Sequence, residues 1–424
     1  MSNLPHNKWK FHPDREALIA EAHARPSQGI TTPSEILHLA FRASSETRET
    51  FFQVMNQDED ASNLRHSVRE LDNIRVKLER HTEFVSCTLF RDMAKPSATP
   101  DLVDFLRHHF PTRNIEILVL IKIDVVKTSA QMLKALSVTD RIYGGKIRDE
   151  IDVRSTFKPD HDGIITFAVH AGKLTSDELG RRIQRLVEME TYRTMSLLGL
   201  PKAREVGVLL TEIEQEVDAL TVSLRDSTTA SEADDEALFQ RLSSLSERNN
   251  ILASQIRYRF AASRAYFDLF RQRIASLEEV KVGDVQTMSG FLRSRIDPAM
   301  ATIESTAKRQ ETLTNDLSRA LSLLRTRIEL NLNKGNQALL QSMDKRHDQQ
   351  LKISRTVEGL SVVAITYYAV GLASYLLKAI AGQPWMPVSE TLLTAVSVPF
   401  ILIGVWYLLR RARSAWEERQ DRKG

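Results

Sequence analysis

The chain has 424 residues, and 58 Lys and Arg against 55 Asp and Glu give it a formal net charge of +3. This length predicts two or three domains, and so small a net charge provides no global basic field for binding nucleic acid. Cys87 is the single cysteine. It excludes an intramolecular disulfide framework and a cysteine-based zinc cluster, and it is typical of a reducing compartment.

The first 50 residues are predicted to form an N-terminal arm, and no apolar run up to residue 25 resembles a cleaved signal peptide. The most concentrated polar set of the chain lies here: His12, Arg15, Glu21, His23 and Arg25. If the segment is extended, Glu21 and His23 share one side and can bind a metal or, with Arg25, an anionic ligand. The alternative is an ordered arm whose side chains satisfy carbonyls and carboxylates. We assign no catalytic residue, and neither a metal nor a cofactor is identified.

Residues 51–172 are predicted to form an α/β domain, because short stretches rich in β-branched and apolar residues occur between helical patterns. The predicted strands are Phe84–Met93, Ile115–Val126 and Gly163–His170, with a weaker strand or hairpin in Arg141–Arg154; the predicted helices are His66–Arg80 and Pro100–His109.

Residues 173–298 are predicted to be a helical domain. Thr175 and Glu178 have the spacing of a capping box and predict a helix that begins there. Further helices are predicted over Lys202–Arg225, Glu236–Leu277 and Gln286–Arg295, the last one ending near Pro298.

Residues 299–357 are predicted to form a long stalk helix with an apolar seam, coiled-coil-like in its spacing. The seam comprises Leu317, Leu321, Leu324, Ile328, Leu332, Leu339 and Met343. We expect this helix to continue into the apolar segment that follows. The alternative is a pair of helices with a kink near Lys334 and Gly335.

Residues 358–410 are predicted to be a transmembrane hairpin, followed by a basic tail over 411–424. Gly359–Leu377 and Thr391–Leu409 each contain no charged residue, and each is long enough to cross roughly 28 Å as a helix. Lys and Arg are frequent before the first span and after the second, whereas the link 378–390 has Lys378 alone. This distribution predicts that both termini are cytoplasmic and that the link lies outside.

A polar stripe follows the first span, because Ser354, Ser361, Tyr368 and Tyr375 recur every seven residues. Glu358 and Lys378 lie close to this stripe and complete the set of pore-lining candidates. Such a stripe either lines water or packs helices together. Two spans cannot enclose a pore, so the water-lining alternative requires an oligomer.

Two segments, HPDREALIAEAHARP (12–26) and SRTVEGLSVVAITYYAVGL (354–372), resemble a bacterial family of uncharacterised membrane-anchored proteins that is known as a domain of unknown function. In that family the first motif often has Asn and Val where this chain has Ala20 and Ala22. The resemblance implies a bacterial inner-membrane protein with a periplasmic link.

The order of elements is also similar to that of CorA-type divalent cation transporters, which are homopentamers with the first span lining the pore. Their Gly-Met-Asn signature is absent from residues 378–384, so the resemblance does not imply magnesium selectivity. It implies a homo-oligomer, and a pentamer if the chain is CorA-like.

The sequence therefore predicts an α+β cytoplasmic domain with a long helical stalk and a C-terminal two-helix transmembrane hairpin. The predicted function is that of a tethered, oligomeric scaffold or sensor with the lipid bilayer as partner, not an enzyme and not a nucleic-acid binder. The alternative is a CorA-like ion transporter or channel.

Overall fold

The computed structural model describes residues 10–16, 18–19, 27–56, 65–95, 101–109, 114–136, 140–226, 232–381 and 389–421. The chain divides into two compact units, Met1–Ser322 and Leu323–Gly424.

The first unit contains a mixed sheet of nine strands in the described part of the chain, in the order β2-β3-β4-β1-β5-β8-β7-β6-β9. Neighbouring strands are antiparallel except for β5 and β8, which are parallel. The strands are β1 (Ser34–Ala43), β2 (His66–Leu71), β3 (Ile74–Arg80), β4 (Val85–Asp92), β5 (Ile115–Val126), β6 (Tyr143–Ile147), β7 (Ile151–Ser155), β8 (Ile165–His170) and β9 (Glu279–Val280).

The predicted strands over Phe84–Met93, Ile115–Val126 and Gly163–His170 are confirmed as β4, β5 and β8. The weaker hairpin predicted in Arg141–Arg154 is present as β6 and β7. Its turn follows Ile147, and Gly144 and Gly145 lie within β6. Glycine is required at both positions, because a Cβ there would collide with the backbone of a neighbouring strand.

Strand β1 lies at the centre of the sheet, between β4 and β5, and its residues from 34 to 41 are buried. Residues 1–50 are predicted to form an N-terminal arm, and this prediction is wrong for β1, because Ser34–Ala43 belongs to the sheet. The polar residues Glu35 and His38 interrupt its apolar pattern, yet both side chains have buried partners. A strand with satisfied polar groups can be covered on both faces.

Alternate residues of β1, namely Leu37, Leu39 and Phe41, face a core formed with the helices α1 (Ser45–Asn56) and α2 (Leu102–His109). Phe51 of α1 is fully buried against Phe41, with the two ring centroids 4.7 Å apart. The helix predicted over Pro100–His109 is confirmed as α2. A third short helix, α3 (Ser129–Ala135), packs near β8.

The helix predicted over His66–Arg80 is wrong, because this segment is the hairpin of β2 and β3. Its turn is formed by Asp72 and Asn73, whose φ angles are 49° and 62°. Asp and Asn tolerate the left-handed conformation that a two-residue hairpin turn requires. Ile74, Val76 and Leu78 then alternate toward the core, a period of two that decides for a strand.

Three long helices follow β8 in the first unit: α4 (Ser176–Leu197), α5 (Leu200–Asp226) and α6 (Glu232–Ser276). They confirm the predicted helical segments. The predicted capping box is also confirmed, because Thr175 Oγ1 accepts from the Glu178 backbone N–H while the Glu178 carboxylate accepts from the Thr175 backbone N–H at 3.0 Å.

Helix α7 (Met288–Ala381) is continuous over 94 residues and contains Pro298. The predicted end of a short helix near Pro298 is therefore wrong. A proline removes one backbone hydrogen bond but does not oblige a well-packed helix to stop. The Glu279 carboxylate caps the first turn, accepting from the backbone N–H groups of Met288 and Ser289 at 2.7 and 2.8 Å. The helix also runs without interruption through Lys334 and Gly335, which confirms the predicted continuation into the apolar segment over the alternative of two separate helices.

The second unit contains the remainder of α7 and the helix α8 (Glu390–Asp421). Both helices carry stretches long and apolar enough to cross a membrane, with mean hydropathies of 1.7 for the stretch in α7 and 1.3 for Thr394–Arg411 in α8. Most apolar side chains of both stretches are exposed.

Candidate functional site

The N-terminal ligand set is only partly within the described residues. His12 and Arg15 lie there, whereas Glu21, His23 and Arg25 fall outside. His12 is exposed, and its Nδ1 accepts from the Asp14 backbone N–H at 3.2 Å. The Arg15 guanidinium lies 4.5 Å from the ring centroid of Phe11. Among the described residues no group of His, Cys, Asp or Glu is arranged to hold a metal ion, so the metal site stays a prediction.

The polar stripe of the first apolar stretch points to the outside of the second unit. Ser354, Ser361 and Lys378 are exposed, and Tyr368 and Tyr375 expose 71% and 76% of their surface. The Ser361 hydroxyl donates to the Val357 carbonyl of its own helix at 2.8 Å, which satisfies it without a partner from elsewhere. Glu358 is only partly exposed and lies toward the edge of the stripe.

The more buried face of the same helix comprises Val362, Thr366, Ala369, Val370, Ala373 and Leu377. Thr366 is 6% exposed. Since each residue turns a helix by about 100°, this face lies roughly 150° from the stripe. On α8, the partly buried positions Thr394, Ser397, Ile401, Val405 and Leu409 also recur at helical spacing. Each of the two helices therefore has one less exposed face, and on α7 the polar stripe lies on the opposite, exposed side.

A groove of about 840 Å³ lies between α6 and α7 in the first unit. Its floor is apolar, with Ile256 and Phe260 buried. Its rims carry charges: Arg257 and Arg264 on α6; Glu304, Lys308 and Glu311 on α7. A concave apolar floor with a few polar groups is the usual form of a small-molecule site.

A network of neutral polar side chains fixes one end of this groove. Asn249 Nδ2 and Gln310 Nε2 both donate to Thr314 Oγ1, at 2.8 and 2.9 Å. The Thr314 hydroxyl itself donates to the Gln310 carbonyl at 3.0 Å. Because every hydrogen-bonding position of that hydroxyl is used, the network holds α6 and α7 at a fixed spacing there. The groove could not be predicted from the sequence, because its two walls come from separate helices and carry no motif.

A buried histidine was also missed. His38, 3% exposed, lies between Thr88 of β4 and Thr191 of α4. Thr191 Oγ1 donates to the Val187 carbonyl, so it accepts from His38 Nε2–H at 3.1 Å. His38 Nδ1 then accepts from the Thr88 hydroxyl at 2.8 Å. Burial, helped by the charges of His81 and Lys77, lowers the pKa of His38 to about 3. It is a neutral cross-link between the sheet and α4 rather than a proton donor.

Four charged side chains meet on the face of the sheet that carries α1 and α2. Glu35 forms ion pairs with Arg91 and with Lys122, whose Nζ lies 2.9 Å from Glu35 Oε1. Lys122 Nζ is also 3.6 Å from Asp124 Oδ1. Burial raises the pKa of Asp124 above its ordinary value, and repulsion by Glu35 adds to this effect, while Lys122 opposes it. Two cations and two anions balance here, which is how buried charges persist inside a fold.

No curated protein matches the chain. Residues 10–416 match the family described as Protein of unknown function (DUF3422). The match includes the sheet, all the helices of the first unit and both apolar stretches. The chain therefore belongs to the DUF3422 family.

Proposed function

We propose that this protein is a membrane-anchored, oligomeric sensor or scaffold of the bacterial inner membrane. One observation carries the proposal: α7 begins among the buried contacts of the first unit and ends as an exposed apolar helix. Exposed apolar surface of this extent is stable where lipid replaces water. The sheet-bearing unit is then a cytoplasmic body on a helical tether.

The charge distribution supports the proposed orientation. Lys345, Arg346, Lys352 and Arg355 precede the first apolar stretch, and Arg410 and Arg411 end the second. Basic residues are retained on the cytoplasmic side of a bacterial membrane, so both flanks belong there and the link belongs outside.

The groove supports the sensor form of the proposal. One of its walls is the segment of α7 from residue 304 to 315, and the same helix carries the apolar stretch. A ligand that favours one position of this wall changes the equilibrium of a helix that continues to residue 381.

Cysteine labelling of the full chain tests the tether. The native Cys87 is buried, and burial raises the pKa of its thiol, so it gives little background. We expect a membrane-impermeant maleimide to label Ser389→Cys on intact spheroplasts and to label Val208→Cys only after permeabilisation. Both side chains are exposed, which makes Val208→Cys a matched control. Equal labelling of the two variants on intact spheroplasts contradicts the proposed orientation.

Disulfide cross-linking in membranes tests the oligomer. We expect Tyr368→Cys to cross-link two copies, because its side chain is exposed, and Thr366→Cys on the less exposed face not to do so. A monomeric mass in neutral detergent together with no cross-link at residue 368 removes the oligomer from the proposal.

Ion passage is the second candidate function, and the outward-facing stripe of Ser361, Tyr368 and Tyr375 favours it. In a ring of copies with a CorA-like arrangement, these side chains line the axis, with Glu358 at the cytoplasmic mouth. We expect Glu358→Gln to change ion flux in proteoliposomes, while Glu212→Gln at an exposed position of the body does not. Equal flux for the wild type and Glu358→Gln counts against this candidate.

A further inference from the structure

Four arginines gather around the turn between β6 and β7. Arg148 lies in the turn itself, Arg182 and Arg185 lie three residues apart on α4, and Arg273 lies in the last turn of α6. They come from three elements that are distant in sequence, so the sequence analysis gave no sign of them.

Three of these arginines have carboxylate partners. Arg182 donates from Nε and Nη2 to Glu150 Oε2, at 2.9 and 2.6 Å. Arg148 pairs with Glu278, and Arg273 pairs with Glu188. These three pairs balance in charge, whereas Arg185 forms no ion pair with any residue in the described part of the chain.

The surplus cation is Arg185. Its Nη1 is enclosed and makes no hydrogen bond to any residue in the described part of the chain. Partial burial lowers the pKa of the Arg185 guanidinium, and repulsion by Arg182, Arg148 and Arg273 lowers it further, while attraction by Glu188 only partly opposes this effect. An arginine with an enclosed N–H group that has no acceptor, and with three other arginines close by, gains stability from any anion that reaches it.

The turn that carries Arg148 is strained. Arg148 and Asp149 have φ angles of 51° and 56°, a region that type I′ turns normally fill with Asn and Gly. Residues with strained backbone are concentrated at functional sites. Here the strain keeps a guanidinium at a position where glycine would suit the backbone better.

We propose that Arg185, with Arg148, Arg182 and Arg273 around it, binds an oxyanion of the phosphate class. The guanidinium group can donate to two phosphate oxygens at once. Several neighbouring guanidinium groups also stabilise a doubly charged ligand, such as phosphate, more than a singly charged ligand such as a carboxylate. This inference does not depend on the membrane tether. The phosphate belongs to a soluble compound or to a lipid head group, and the two sources are separated by the test.

Thermal unfolding of the full chain in phosphatidylcholine nanodiscs tests the proposal with inorganic phosphate as the probe. At constant ionic strength, we expect phosphate to raise the melting temperature of the wild type in a saturable manner. Arg185→Gln should bind phosphate about tenfold more weakly, the loss expected for one charge-assisted contact. Arg181→Gln is the matched control, since it removes the same charge from an exposed position of the same helix.

Nanodiscs that also contain phosphatidylglycerol form the second arm. An Arg185-dependent increase in melting temperature that needs this lipid, and not free phosphate, supports the same site with a lipid source. An equal phosphate effect in the wild type and Arg185→Gln overturns the proposal, and so does no effect of either anion on the wild type.

Arg148→Gly separates anion binding from a structural role. Glycine relieves the left-handed strain, so we expect a higher melting temperature without anion and a smaller increase with phosphate. A variant that is destabilised without anion and retains the full phosphate effect contradicts a binding role for Arg148.

Discussion

The two units of the chain use similar apolar residues in opposite ways. In the first unit Phe41 and Phe51 are fully buried between the sheet and a helix, whereas in the second unit Leu372 and Phe400 expose 71% and 72% of their surface. The hydrophobic fraction of the whole chain, 42%, does not distinguish these two cases. The difference shows that continuous placement along a helix, rather than total content, decides whether apolar residues form a core or an apolar exterior.

The largest effect should come from truncating one phenylalanine in each unit. We expect Phe41→Ala to lower the free energy of unfolding by about 3–5 kcal/mol, because it leaves a cavity in a closed core. Phe400→Ala is the matched variant and should change it by less than about 0.5 kcal/mol. Denaturant unfolding followed by circular dichroism measures both. Equal losses would mean that Phe400 also packs in a protein core.

An arginine introduced into each unit should also affect the two units differently. Leu372→Arg should disfavour membrane insertion by about 2.5–3.5 kcal/mol, the cost of arginine at the centre of a spanning helix. Val208→Arg, at an exposed position of the body, should leave membrane retention unchanged. The fraction of protein in carbonate-washed membranes measures the effect. Full retention of Leu372→Arg would argue against a spanning segment there.

Acidification should affect the first unit through His38. The pKa of His38 is about 3 in the folded chain and 6.5 as its ordinary value. Below pH 6.5 the unfolded chain takes up a proton that the folded chain refuses. Stability is therefore complete above that pH and falls by up to about 1.4 kcal/mol per pH unit as the pH decreases toward 3.

The unfolding free energy between pH 7 and 5 tests this dependence, with the slope of His38→Gln expected to be flatter. His161→Gln is the control, because the His161 side chain is 88% exposed and should leave the slope as it is. A slope identical in the wild type and His38→Gln would show that His38 takes up its proton in the folded state as well.

The smallest change in stability is expected at the N-terminal end of α4 in the first unit. Thr175→Ala removes the side-chain half of a capping box and should cost about 1 kcal/mol. Thr221→Ala removes a hydroxyl that bonds only within its own helix, to the Val217 carbonyl, and should be neutral within about 0.5 kcal/mol. Denaturant midpoints at unchanged slope measure both variants. A neutral Thr175→Ala would indicate that tertiary packing alone sets this helix start.

The elements with strong local signals were predictable. Uncharged stretches of full span length, the Thr175–Glu178 spacing and the β-branched run of β5 each determine their structure from a few neighbouring residues. Such signals need no knowledge of the rest of the fold.

The elements that depend on distant partners were not predictable. Strand β1 contains Glu35 and His38, two residue types that are usually exposed. They are buried here because distant residues satisfy them: Arg91 and Lys122 pair with Glu35, and Thr88 and Thr191 bond to His38. The β2–β3 hairpin has many charged residues, and its Asp72–Asn73 turn was a short-range signal that the helical interpretation ignored.

The candidate site was predicted least well. The stripe of Tyr368 and Tyr375 could be identified from its seven-residue spacing, but which face of the helix is less exposed could not. The groove and the arginine cluster each unite residues from separate helices, and neither has a pattern in one segment.

The position of β9 has a consequence for the time course of synthesis. Val280 and Glu279 pair with β6 and complete the sheet, and the first unit ends at Ser322. The first apolar stretch begins at Gly359, about 37 residues later. A ribosome that adds about 5–20 residues per second makes this interval in about 2–7 s. The first unit thus has only seconds to fold before the apolar stretch is synthesised. A mutation that slows its folding exposes the unfolded core of this unit and the apolar stretch at the same time, and both surfaces are prone to aggregate.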